Sequence, residues 1–240
     1  TDTELIPLLP PVDEEEMNNE DLPDTLPILP LRNMVLFPGV VIPITAGRDK
    51  SINLINDAYA AGKIIGVVAQ KNEEIEDPTK NDIHQIGTVA RILRVLKMPD
   101  GNVTVILQGK KRFKIESVVS ENPYFTANIK DVAEKRPTKK DTEFLAILDS
   151  VRELAIQIIK ENPNIPSEAT FAIKNIESQS FLINFVTSNM SLSVEEKQNL
   201  LSINSLKDRA LETLRYMNTE LQKLELKNDI QSKVRFDLDQ

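Results

Sequence analysis

Gly87-Thr88-Val89-Ala90-Arg91-Ile92-Leu93-Arg94-Val95-Leu96-Lys97-Met98-Pro99-Asp100-Gly101-Asn102-Val103-Thr104-Val105-Ile106-Leu107 holds two runs rich in β-branched and aliphatic residues on either side of a Pro-Asp-Gly-Asn turn. Such runs favour extended backbone, and Asp-Gly is a strong signal for a tight reversal, so the stretch reads as a β-hairpin. Upstream, Leu26–Leu31 is extended and punctuated by proline, and Val40–Ile44 is an apolar run broken by Pro43, which suits an edge or a bulge. Gly47-Arg48-Asp49-Lys50-Ser51 opens a helix with Ile52, Ile55, Ala58 and Tyr59 at helical spacing, and Gly62 marks its stop. Ile64–Ala69 reads as a buried strand, followed by an acidic loop from Glu73 to Asp82. Downstream, Gly109-Lys110-Lys111 reads as a turn, Phe113–Val119 as a strand, and Asn122-Pro123 precedes a last strand from Tyr124 to Val132. Six or seven short strands with one helix fit a small, mostly antiparallel barrel, because closure or coverage protects that many edges.

Composition changes near Lys135-Arg136-Pro137. From Asp141 to Glu161, Phe144, Leu148, Val151, Ala155 and Ile158 form one helical face that Asn162-Pro163 ends. Shorter helices are expected over 167–176 and 179–187, and Ser193 with Glu196 makes a capping box opening a helix to about Leu201. Ser205 to about Phe236 contains no Pro or Gly and carries the seam Leu214, Met217, Leu221 and Leu224. A helix of that length spans roughly 45 Å, and its distal part, where apolar residues thin out after Leu226, is expected to need a partner or further chain. The seam is expected to pack within the bundle, with pairing to another copy as the alternative.

The 240 residues are 40% hydrophobic and 28% charged, with neither Cys nor Trp. Two domains are expected at this length, and the lack of cysteine removes thiolate metal sites and cysteine nucleophiles. The longest apolar runs fall far short of the ~20 residues a bilayer needs, so no membrane partner is expected; the first residues lack the basic start and apolar core of a secretory signal, so the location reads as cytoplasmic, or matrix if a transit peptide was removed. Residues 1–24 hold nine acids and no Lys or Arg, which leaves the remainder at +1 against −8 for the whole chain. That leader, with four prolines, reads as disordered, either an interaction tail or a solubilising extension. A near-neutral body lacks the long-range field of a dedicated nucleic-acid binder.

Chemistry is sparse. The one histidine, His84, has no second histidine or cysteine with which to build the usual zinc site, and reads as structural or exposed rather than as a general base. No Gly-x-x-x-x-Gly-Lys-Ser/Thr loop, Gly-x-Gly dinucleotide motif or Gly-x-Ser-x-Gly elbow occurs. Lys110-Lys111-Arg112 with Phe113 is the one basic and aromatic cluster; it reads as a solvated hairpin turn, with RNA contact as the alternative. Hence no catalytic, cofactor-binding or metal-binding residue is named, and substrate-binding residues are left unassigned. Most of Val35, Phe37, Val40, Ile42 and Phe113 are expected in the core.

Leu26-Pro27-Ile28-Leu29-Pro30-Leu31-Arg32-Asn33-Met34-Val35-Leu36-Phe37-Pro38-Gly39 resembles the opening of Lon protease N-terminal domains. Ile42-Pro43-Ile44, Gly47-Arg48-Asp49-Lys50-Ser51, Val67-Val68-Ala69-Gln70-Lys71, Gly87-Thr88-Val89-Ala90, Lys97-Met98-Pro99-Asp100-Gly101 and Gly109-Lys110-Lys111-Arg112-Phe113 continue the resemblance in order. The resemblance covers about residues 26 to 240 and implies an α+β fold: a PUA-like β-barrel over 25–134, an α-helical bundle over 138–204, and a long helix over 205–240 leading toward an AAA+ module. It further implies a non-catalytic part that recognises substrate and helps assembly in an ATP-dependent serine protease of quality control. That part would capture unfolded or damaged polypeptides and pass them to AAA+ and protease domains of its own protein in a homohexamer. The family's Walker motifs and Ser-Lys dyad would lie beyond Gln240, so ATP and Mg are expected of the parent enzyme and no cofactor of this stretch. A free-standing PUA-like adaptor or an RNA-binding module is the alternative.

Overall fold

In the computed structural model, which describes residues 21–240, the chain divides into two compact units. The first runs to Ala133 and takes in Leu192–Ser202 as well; the second comprises Glu134–Ser191 and Ile203–Gln240. The expected acidic leader lies outside the described residues except for its last four.

The first unit contains six strands among the described residues: β1 (Thr25–Leu31), β2 (Val41–Ala46), β3 (Ile64–Ala69), β4 (Ile86–Lys97), β5 (Val103–Ser120) and β6 (Phe125–Asp131). Helix α1 (Asp49–Ala61) stands between β2 and β3. The order β2-β5-β4-β3-β1-β6, with β5 also paired to β6, closes the sheet into a barrel that β2 extends on one side. Every pairing is antiparallel except β1 with β3. A parallel pair needs a crossover, and α1 supplies it, packing on both strands. Its Leu54, Ile55 and Ala58 are buried. Leu26, Ile28, Val68, Val89, Phe113, Ile115 and Phe125 share one core cluster, each large apolar side chain there worth about 1.5–3 kcal/mol when fully buried.

Strand β5 corrects the sequence reading. Its 18 residues run unbroken through Gly109-Lys110-Lys111, so no turn lies there. Between Ala90↔Gly109 and Thr88↔Arg112 the register with β4 shifts, so β5 bulges instead of reversing. Gly109 serves close approach: its N–H donates to the Val40 carbonyl at 2.8 Å, its own carbonyl accepts from Gly39 N–H at 2.9 Å, and a Cβ would sit 2.4 Å from the Phe37 oxygen. Beyond the bulge, β5 passes from β2 and β4 to β6. Pro43 lies on β2, which pairs only with β5, so its missing donor costs no ladder bond on the open side.

Helix α2 (Thr142–Glu161), α3 (Glu168–Asn175), α4 (Gln179–Asn189) and α6 (Leu206–Asp239) belong to the second unit, while α5 (Val194–Ser202) belongs to the first. Placing α5 with the barrel departs from the 138–204 bundle read from the sequence. Its capping box forms, with Ser193 N–H to Glu196 Oε1 and Glu196 N–H to Ser193 Oγ both at 3.1 Å. What α5 packs against was set elsewhere: Gln198 Nε2 donates to the Ile86 carbonyl at 2.9 Å, and Arg112 donates to the Leu201 carbonyl at 2.9 Å. In the second unit α2 lies along α6, with α3 and α4 against α2. Met217 and Leu221 of the α6 seam are buried, and Leu214 and Leu224 half-buried. Arg209, 1% exposed, pairs with Glu134, which also accepts from Ser180 Oγ at 3.3 Å. At 34 residues α6 is about 51 Å long, and every residue from Asp229 onward is exposed.

Candidate functional site

Among the described residues no group of three or more His, Cys, Asp and Glu is placed to hold a metal ion. His84 is half-buried at the strand-entry side of the acidic loop, its backbone N–H donating to the Ala69 carbonyl at 3.0 Å. Burial, and next the Lys71 charge, hold its imidazole below the ordinary value against the opposing pull of Glu195.

The basic and aromatic cluster does not survive as a surface. Phe113 is fully buried in the barrel core, and Arg112 is 3% exposed, its guanidinium donating to Leu201 O at 2.9 Å and Ala133 O at 3.3 Å. Lys111 Nζ lies 3.3 Å from Asp131. Two of the four residues on which an RNA platform would rest are therefore interior, and Arg112 carries a structural role that its neighbours in sequence concealed. Val35, Phe37 and Val40 are also buried, with Ile42 half-buried on β2.

A concave feature of the first unit lies over β1, where the amino end of α1 faces the acidic loop. Two adjoining cavities of about 500 and 630 Å³ share Leu29, Pro30, Gly47, Arg48, Ser51 and Glu76. The loop wall is held by a network that starts at Gln70, only 1% exposed. Gln70 Nε2 donates to Ile75 O at 2.9 Å and Asn72 O at 3.2 Å, and its Oε1 accepts from Arg48 at 3.1 Å. Arg48 also donates to Glu76 O at 2.6 Å, and Arg32 Nε to Glu73 O at 3.1 Å. Both arginines thus donate to neutral oxygens. Burial foremost, then the nearby Arg32 charge, push the Arg48 guanidinium below its ordinary value, with Asp77 opposing. Lys50 pairs with Asp77 at 3.3 Å. The sequence supplied Gly47–Ser51 as a helix opening and as part of a resemblance, and Arg32 through the resemblance; that they meet across one groove is a product of the β1–α1 packing.

Apolar side chains are also displayed on the barrel. Leu93, Leu96 and Met98 are exposed near the far end of the β4–β5 hairpin. Such surface is consistent with contact to a polypeptide.

The family described as the ATP-dependent protease La (LON) substrate-binding domain matches residues 25–219. A Lon protease of Flavobacterium johnsoniae is 82% identical over 240 residues, covering 100% of this chain and 29% of the relative. One from Cytophaga hutchinsonii is 48% identical over 237 residues, covering 99% of this chain and again 29% of the relative. The chain therefore spans under a third of the length of these relatives. Among solved structures, the N-terminal domain of a Mycobacterium avium complex Lon protease superposes with a TM-score of 0.66 at 19% identity, covering 81% of this chain and 98% of that one. A Lon N-terminal domain protein from Xanthomonas campestris gives 0.55 at 17% identity, covering 80% and 98%. The mixed α+β architecture ending in a long helix is thus the fold of those domains, and the match over 195 residues settles descent: this chain belongs to the Lon substrate-binding domain family.

Proposed function

We propose that the chain is the non-catalytic substrate-recognition and assembly part of an ATP-dependent Lon protease, holding unfolded or damaged polypeptides for an AAA+ motor and a Ser-Lys peptidase carried by the same protein. The family match over residues 25–219 carries this reading. Exposed apolar side chains at the β4–β5 hairpin and the groove over β1 support it physically, since weak apolar contacts suit clients of no fixed sequence. Six copies in a hexamer would raise effective concentration so that weak single contacts suffice. ATP and Mg belong to the motor in this reading, and the cytoplasm is its compartment. No helix among the described residues is long and apolar enough to cross a membrane.

The test is binding of a chemically unfolded, fluorescently labelled protein to the 240-residue chain without ATP, with the native form as control. Selective binding of the unfolded form is the expected outcome. No binding at high concentration would shift the role to assembly and leave recognition to the motor.

A further inference from the structure

Strands β2, β5 and β4 turn one face outward that carries both apolar and basic side chains. Directly paired residues share a face of a sheet, as does every second residue along a strand. Pro43, Ile106 and Arg94 make one row across the three strands, Thr45, Thr104 and Leu96 the next, and Val41, Gln108 and Arg91 a third. The Thr45 and Thr104 hydroxyls lie 3.1 Å apart on this face, while Val103, Val105 and Leu107, which alternate with it along β5, are buried. Pro43, Arg91, Arg94 and Leu96 are exposed and Ile106 is half-buried, with Met98 exposed just beyond Leu96. An apolar surface of Pro43, Ile106, Leu96 and Met98 thus lies beside two guanidiniums. Neither Arg91 nor Arg94 has an ion pair among the described residues.

The charge of these strands has one sign. Val41–Ala46, Ile86–Lys97 and 103–111 hold five Lys or Arg and no Asp or Glu. The acid at the hairpin turn, Asp100, already accepts from the Asn102 backbone N–H at 3.0 Å and from Asn102 Nδ2 at 3.1 Å. The sequence ahead of Asp21 has the opposite sign. Glu4-Leu5-Ile6-Pro7-Leu8-Leu9-Pro10-Pro11-Val12-Asp13-Glu14-Glu15-Glu16 joins five aliphatic residues to four consecutive acids and contains no Lys or Arg. Twenty residues reach up to roughly 66 Å, while a unit of this size has a radius of gyration of about 13 Å. With Ile28 opposite Gly66 and Ile64 opposite Arg91, Arg91 stands two strands, roughly 10 Å, across the sheet from the amino end of β1. Pro7, Pro10 and Pro11 withhold amide donors, as Pro43 does on β2, so side chains and not an added strand make the contact. We propose that residues 4–16 dock on this face of their own chain, with Leu5–Val12 against Pro43, Ile106, Leu96 and Met98 and with Asp13–Glu16 opposite Arg91 and Arg94. Tethering supplies an effective concentration on the order of millimolar, so a contact too weak to form between separate chains suffices. The leader then covers apolar surface that an unfolded client would use, a competition that rests on the substrate-binding reading above.

The chain has no cysteine, so a nitroxide on Thr3→Cys is a single probe. In the 240-residue protein it is expected to speed the NMR relaxation of the Leu96, Met98 and Ile106 amides above that of the β1 and α1 amides. Arg91→Gln with Arg94→Gln removes two exposed charge contacts and is expected to lower that enhancement about fivefold. Enhancement that is absent at those three amides, spread evenly over the unit, or unchanged in the double variant would overturn the docking. Equal enhancement in a mixture of spin-labelled chain with isotope-enriched, unlabelled chain would overturn it too, since the leader would then come from a second copy. For the competition, Asp13→Asn with Glu14→Gln, Glu15→Gln and Glu16→Gln is expected to tighten binding of a labelled unfolded protein about fivefold by the same reckoning. Docking with unchanged client affinity would remove the competition, whereas docking without any client binding would remove the substrate-binding reading and leave the docked leader standing.

Discussion

A Cβ built on Gly87 would meet the Val67 oxygen at 2.1 Å and Val68 Cγ1 at 2.6 Å. Neither neighbour can yield, because one is backbone in the adjacent strand and the other is core. Gly87→Ala is therefore expected to cost about 2 to 3 kcal/mol by overpacking, read as a lower urea midpoint with an unchanged m-value. Arg112 shows the opposite economy at the same scale. A residue type that is rarely buried is interior here because two carbonyls, Leu201 and Ala133, receive its protons. Lysine has no planar fork to reproduce that geometry. Sequence alone placed Phe113 in the core correctly, since an aromatic in a strand run has one good destination. It set Arg112 in a solvated turn, because the acceptors that draw it inward lie 21 and 89 residues away along the chain.

Helix starts follow local rules closely. Asp141 caps α2, its Oδ1 accepting from Phe144 N–H at 2.9 Å, and Lys207 Nζ lies 3.0 Å from Oδ2. The amide bond first, and then Lys207, hold the Asp141 carboxyl below its ordinary value of 3.8. A depressed folded-state pKa contributes stability that is fully present above about 3.8 and is lost as pH falls through the folded value. Asp141→Asn keeps a capping oxygen and abolishes the titration. Thermal melts between about pH 5 and 2 should thus fall more steeply for the unsubstituted chain than for Asp141→Asn, and parallel curves would remove this group from the acid limb. The cap at Ser193 was legible because cap and amide lie three residues apart, and the same spacing holds at Asp141 and Ser205, where the sequence reading began its two long helices. Strand β5 was not, since Gly109 with two lysines carries the local signal of a turn, and only the β4 register and the approach of Phe37 make it a bulge.

At the scale of the molecule, the barrel and its closure were readable from strand count and turn spacing, whereas the membership of α5 was not. A capping box says where a helix begins and nothing about what it covers. The extent of α6 raises a separate point. Its last buried residue is Leu221, and Asn228 still bonds Glu161 at 2.9 Å, but beyond it no side chain is buried. Ending the chain after Asn228 is expected to leave the urea midpoint within about 0.5 kcal/mol of the full value, since exposed positions rarely contribute more; a larger loss would show that the distal turns stabilise the unit. The return of α5 to the first unit bears on synthesis. All six strands have been synthesised once Ala133 is made, yet Arg112 has no Leu201 carbonyl to meet until residue 201 follows. At roughly 5–20 residues per second several seconds pass in between. Through that interval Arg112 can reach the Ala133 carbonyl but not the Leu201 carbonyl, so the first unit is completed only after translation has run through much of the second.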